Sequence, residues 1–217
     1  MLAHLVGRDE RVPGSDVLDV CTGSGAIAVA AARSGAGSVT AVDVSRRATL
    51  SARLNARLHG VRVEAVQGDL LDAVADRRFD VITSNPPYLP AEHEALPERG
   101  PQRAWDAGLD GRVLLDRIIA AAPRHLRPGG VLWLVHSSVC GVDRTLSRLG
   151  LAGLEPVVAE RRSGPLGPLL EGRADQLEQR GLLQPGQREE EVVAIRATAA
   201  AAVSGATSRE RARQALR

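Results

Sequence analysis

Lysine is absent from this chain: all 28 basic side chains are arginine, against 26 acidic ones, for a net charge of +2. Such uniform use of arginine reads as the codon bias of a GC-rich genome and carries no chemistry. The near balance of charge excludes the broad positive field that drives sequence-independent phosphate binding, so a nucleic-acid partner is not expected. Aromatic residues are almost missing too, being only Phe79, Tyr88, Trp105 and Trp133. The core must then be built from Ala, Val, Leu and Ile, and an aromatic in a loop calls for an explanation. The two cysteines, Cys21 and Cys140, form no CxxC pair, and the five histidines show no metal-ligand spacing, so no metal is expected and both thiols are expected to be reduced. No run of about 18 apolar residues occurs, and the start has neither a basic n-region nor a small-residue cleavage site. No membrane partner is expected, and the cytoplasm is the expected location. What is present is 217 residues, 44% hydrophobic and 25% charged, the proportions of one globular core.

Apolar runs suited to strands alternate with amphipathic segments suited to helices. Asp16–Cys21, Ser38–Asp43, Val61–Gln67, Phe79–Ser84 and Val131–Ser137 are the expected strands; Ala26–Ser34, Ser45–His59 and Arg112–Leu126 are the expected helices, the second capped by Ser45. This alternation predicts βαβ units and a parallel sheet. Val131–Ser137, apolar on both faces, belongs in the middle of a sheet covered on both sides, whereas Val61–Gln67, interrupted by Arg62 and Glu64, suits an edge. After an expected helix at Gly141–Leu149, two late strands, Leu154–Arg161 and Glu191–Arg196, flank an expected helix near Glu171–Arg180 and predict an antiparallel addition at the sheet edge. The expected organisation is one domain over residues 1–196, opening with a short helix over 1–12, and a disordered Ala/Arg-rich tail over 197–217.

The first strand runs into Asp19-Val20-Cys21-Thr22-Gly23-Ser24-Gly25, where a helix pattern begins at once. Glycines at such a turn let a ligand approach the backbone, and the following helix N-terminus presents free N–H groups. By itself this is equally a tight turn, or a dinucleotide loop with Ala28 in the third glycine position. Asp43 closes the second strand about 20 residues on, where a carboxylate can accept ribose hydroxyls. Asp69, followed by Leu70, comes after the third. Consecutive strand ends of a parallel sheet open on one edge, so the three form a set more specific than any member.

The fourth strand ends in Asn85-Pro86-Pro87-Tyr88. Two prolines fix φ and remove two donors, leaving a rigid corner with free carbonyls. A planar NH2 group could give one hydrogen to the Asn85 side-chain oxygen and the other to the Pro86 carbonyl, its face against Tyr88. That orients a poor nitrogen nucleophile for in-line attack. Nothing in nicotinamide chemistry asks for such a corner.

On these residues, together with 104–112 (AWDAGLDGR) and 126–130 (LRPGG), the chain resembles the class I S-adenosylmethionine-dependent methyltransferases. Within them it is similar to the HemK/PrmC protein glutamine methyltransferases, most of all the short subfamily without an N-terminal helical domain. The resemblance spans about Asp16 to Arg196. It implies a Rossmann-like α/β fold with a mostly parallel seven-stranded sheet and an antiparallel edge. It implies S-adenosylmethionine as cofactor, with Thr22, Gly23 and Gly25 at its methionine part and Asp19 nearby, Asp43 at the ribose, Asp69 and Leu70 at the adenine, and Asn85 bordering both cofactor and target. It implies a peptide-chain release factor as protein substrate, its Gly-Gly-Gln glutamine held by Asn85, Pro86, Pro87 and Tyr88 with Trp105 against the target segment, and a possible small activating subunit. Cys21 departs from the family's usual glycine, which predicts a tighter loop. Only residues 1–15 precede the first strand, where relatives carry a proline and an acid that help close the pocket. A start placed too late, a replaced segment or poor cofactor affinity are the alternatives. The competing readings are N6-adenine or N2-guanine methylation of nucleic acid and a cofactor-binding protein of reduced activity.

Overall fold

A computed structural model describes residues 1–201. Of the expected tail over 197–217, residues 202–217 lie outside the described residues. Helix α1 (Leu2–Val6) leads to β1 (Asp16–Val20), α2 (Ala26–Arg33), β2 (Ser38–Asp43), α3 (Arg46–Leu58), β3 (Glu64–Gln67), β4 (Phe79–Ser84), α4 (Val113–His125), β5 (Leu126–Ser137), α5 (Val142–Leu151), β6 (Leu154–Pro165), α6 (Pro168–Glu171), α7 (Ala174–Gln179) and β7 (Glu189–Ala199). The seven strands form one sheet in the order β3-β2-β1-β4-β5-β7-β6. The first five are parallel, and β7 runs antiparallel to both its neighbours.

β5 shows why the sheet is covered on both faces. Leu132 and Leu134 enter a cluster with Ile118, Ile119 and Leu149 from α4 and α5. Their neighbours Val131, Trp133 and Val135 point the other way, into a cluster with Leu2, Val6, Ala28 and Ala31 from α1 and α2. Period-two alternation with no polar face is what a central strand requires. Phe79 and Trp133 are both core residues. The Trp133 Nε1–H donates to Asp9 at 2.8 Å, tying the start of the chain to mid-sheet. Asp9 also receives Arg196 Nε at 3.2 Å.

Four expectations are corrected. The opening helix covers only Leu2–Val6 rather than 1–12. The third strand begins at Glu64, because β2 pairs with it only from Thr40 onward; Val61–Val63 alternate correctly but have no ladder to join. The helix expected near Glu171–Arg180 is two short ones broken around Gly172. The domain does not end at 196: β7 continues to Ala199, with Ala197 opposite Leu132 and fully buried. No helix among the described residues is long and apolar enough to cross a membrane.

Candidate active site

The carboxyl ends of β1, β2, β3 and β4 open onto one cavity of 1190 Å³, roofed by residues 96–106 of the segment between β4 and α4. Its floor is the glycine loop. Gly23 has φ +55° and faces open space, so a side chain there would take up room in the cavity. Gly25 serves a different end. With φ +81°, a Cβ on it would lie 2.8 Å from the Ala52 Cβ of α3, so its bareness brings α2 and α3 together and it does not line the cavity. Cys21 adopts φ +58°, the left-handed conformation that glycine tolerates best and that a side chain adopts only at a cost. Burial, with Asp43 and Asp19 nearby, pushes its thiol far up, so it is held as SH and is no nucleophile.

Asp43 organises the ribose side. One carboxylate oxygen accepts from Gly23 N at 2.9 Å and the other from Ser45 N at 2.8 Å. Ser45 in turn caps α3, accepting from Ala48 N at 3.4 Å. Each Asp43 oxygen keeps a further lone pair for a ligand hydroxyl. Asp69 and Leu70 line the cavity as expected. Sequence reasoning missed the Asp69 partner: Arg117 of α4 donates to its carboxylate at 2.7 Å. Leu70 sits at φ +48°.

Asp19 is placed elsewhere. It is fully buried beneath the loop and does not line the cavity; its oxygens accept from Thr22 Oγ1 at 2.6 Å and Thr83 Oγ1 at 2.8 Å. It accepts from Thr22, which is a lining residue, so the residue expected near the cofactor supports the cavity from beneath and does not line it. Burial pushes its carboxyl up from 3.8 to about 6. Between those values the native chain holds a proton that the unfolded chain has released, so folding stability falls as pH rises through the window and levels off above it. The expected result is that the wild type loses stability relative to Asp19→Asn between pH 4 and pH 6.5 in urea denaturation. Parallel profiles would contradict the assignment.

The Asn-Pro-Pro-Tyr corner is only partly as expected. Asn85 and Pro87 line the cavity. The Asn85 side chain and the Pro86 carbonyl make no hydrogen bond to another described residue. Pro86 is buried, and neither it nor Tyr88 lines the cavity. Tyr88 is turned to structural use. Its carbonyl accepts the Cys140 thiol at 3.0 Å, Gly111 packs against that same carbonyl, and burial together with Glu190 raises its phenol above the ordinary range. Trp105 also stays out of the cavity, which its neighbours Ala104 and Asp106 line, while its own carbonyl accepts from Leu89 N at 2.7 Å. The ring against which a target was expected to rest is thus not supplied by Tyr88 or Trp105. Arg46, Arg47, Arg99 and Arg103, none singled out from the sequence, also line the cavity.

Residues 1–97 match the methyltransferase small domain family. A protein N5-glutamine methyltransferase of Methanocaldococcus jannaschii is 35% identical over 159 residues, covering 73% of this chain and 80% of its own length. A release factor glutamine methyltransferase of Geobacter sulfurreducens is 45% identical over 125 residues, covering 55% of this chain but 43% of its own length. The chain therefore spans less than half of that relative. Among solved structures, ribosomal protein L11 methylase of Lactobacillus delbrueckii subsp. bulgaricus superposes with a TM-score of 0.57 at 23% identity, covering 89% of this chain and 76% of its own.

Proposed function

The chain belongs to the protein glutamine methyltransferase family, and from that premise we propose that it methylates a side-chain amide nitrogen of glutamine in a protein, the Gly-Gly-Gln glutamine of a peptide-chain release factor, in the cytoplasm. The cofactor is S-adenosylmethionine, which supplies when bound a methyl group on a sulfonium, so good a leaving group that the protein's part is placement. The residues present fit it: Gly23 leaves the floor open, Asp43 keeps acceptors for a ribose, and Asp69 and Leu70 stand one strand further on.

The observation that carries the reading is Asn85. It stands at the cavity edge directly after β4, on a backbone stiffened by Pro86 and Pro87, with its own amide unspent. Its Oδ1 would accept one N–H of the target amide, and the Pro86 carbonyl, which spends no hydrogen bond on another described residue but is not part of the cavity lining, would accept the other on turning toward the target. Holding both hydrogens fixes the amide plane and draws the lone pair toward nitrogen, which is what an amide lacks as a nucleophile. Asn85 needs no change of charge to do this, and among the described residues that line the cavity the only carboxylates are Asp43, Asp69 and Asp106, which are weak bases. Cys21 and Tyr88, both held protonated, are unsuited to that part.

The test is direct. Purified protein with S-adenosylmethionine and a release factor should add one methyl group to the Gly-Gly-Gln glutamine, located by fragmentation mass spectrometry; a Gly-Gly-Asn control should stay unmodified. Methylation of the control, or none of either, would refute the reading. A second reading, methylation of an exocyclic amine of a nucleic-acid base, rests on one observation. Arg46, Arg47, Arg99 and Arg103 line the cavity, and none forms an ion pair among the described residues. The same assay with ribosomal and transfer RNA separates the two.

A further inference from the structure

The segment between β4 and α4 leaves the corner at Tyr88 and returns at Asp106, and its two ends lie side by side. Leu89 N donates to Trp105 O at 2.7 Å, Ala107 N to Leu89 O at 3.0 Å, and Ala91 N to Gly108 O at 2.8 Å. Everything between is an excursion over the cavity, contributing Leu96, Arg99 and Arg103 to its lining. Such a loop has little internal structure beyond the short 3₁₀ turn Pro101–Ala104. It must be held from outside.

The hold comes from the insertion between β6 and β7. Leu170, Ala174 and Leu177 of α6 and α7 form a small apolar cluster that Leu89 packs against. From the head of α7, the Arg173 Nη1 donates to the Pro90 carbonyl at 2.6 Å and to the Asp106 carboxylate at 2.7 Å. A single guanidinium nitrogen thus spans the outgoing and returning ends of the loop. Arg173 and Asp106 are 24% and 11% exposed, sheltered enough for the pair to hold its geometry in salt. Arg180 adds donation to the carbonyls of Ala91 and Leu109. Asp106 itself lines the cavity.

We propose that Arg173 is a positioning residue of the methyl-transfer reaction: through Pro90 and Asp106 it latches the 91–106 loop over the cavity, so that the C-terminal insertion sets how the target segment is engaged. The inference rests on the function proposed above for Asn85, and its test is chosen so that the two can fail separately. Since the chain has no lysine, trypsin can cut the loop only at Arg99 and Arg103.

Arg173→Ala, Arg173→Lys and Asp106→Asn should be compared with wild type. Arg173→Ala is expected to raise the rate of cleavage at Arg99 and Arg103 about tenfold and KM for the release factor by a similar factor, with the S-adenosylmethionine Kd unchanged. Arg173→Lys should recover most of both, because one ammonium can replace the single Nη1 that makes both contacts. Asp106→Asn should show the same pattern more weakly, and it serves if Arg173→Ala does not fold. Wild-type cleavage and KM in Arg173→Ala overturn the proposal, as does a lysine variant no better than alanine, which would mark Arg173 as packing. If wild type methylates no glutamine, the functional reading falls, while the trypsin comparison still decides the latch.

Discussion

Asn85→Ala is expected to lower kcat for methyl transfer to a release factor by about 10²–10³-fold, the range seen when one preorganised polar contact to a reacting centre is removed, while S-adenosylmethionine binds as before. The division follows from where the residue stands. The proposed cofactor contacts come from β1, β2 and β3 through Gly23, Asp43 and Asp69, whereas Asn85 follows β4. The variant should also fold normally, because the exposed side chain makes no hydrogen bond to another described residue and Ser84, just before it, is anchored separately by its hydroxyl on Val20 O at 2.8 Å. Isothermal calorimetry for the cofactor and single-turnover kinetics for the methyl group separate the two effects. A variant that transfers methyl groups at the wild-type rate would remove Asn85 from the reaction. One that loses cofactor affinity in equal measure would move it from target to cofactor.

What the sequence made legible was local, and what it concealed was long-range. The doubly apolar run at Val131–Ser137 and the Ser45 cap can be read directly because each is set by its own neighbours, and both are as expected. The four strand ends follow from the same alternation, which is why Gly23, Asp43, Asp69 and Asn85 do share one cavity. Val61–Val63 misled because alternation is a property of side chains, whereas joining a ladder depends on a partner strand that here pairs only from Thr40. Ala197–Ala199 looked like the start of an alanine-rich tail, yet small residues are what a strand needs where its face packs closely. Tyr88 and Trp105 misled for another reason. Scarcity of aromatics says that each has a task without saying which, and both use their backbones to shape the corner and its loop. Arg173 was hidden altogether, since nothing local ties it to a residue 67 positions earlier.

Arg112→Met is expected to cost about 3–5 kcal/mol of folding stability, the range for breaking a buried ionic cluster by deleting one member, and to lower Tm by on the order of 10 °C in a chain of this size. Arg112 is 1% exposed at the head of α4. Its Nη1 donates to Cys140 O at 2.5 Å and to Thr145 Oγ1 at 2.9 Å, and its Nη2 to Asp116 at 2.7 Å. Methionine fills much of the volume and supplies no donor, so the Cys140 carbonyl and the Thr145 hydroxyl lose their guanidinium donor in a buried site. Asp116 loses less. It is 20% exposed and keeps Arg148 at 3.0 Å, so the expected loss comes mainly from the polar groups at the β5–α5 junction. The Nε of Arg112 has no partner among the described residues, so the arginine is costly to bury and is retained for its two terminal nitrogens. The same junction bears on the corner, because Cys140, held by Arg112, donates its thiol to Tyr88 O. Urea denaturation at low and high salt checks the account: a loss of the stated size, unchanged by salt, supports a buried cluster, and a loss under about 1 kcal/mol, or one that salt abolishes, would place Arg112 among the surface pairs.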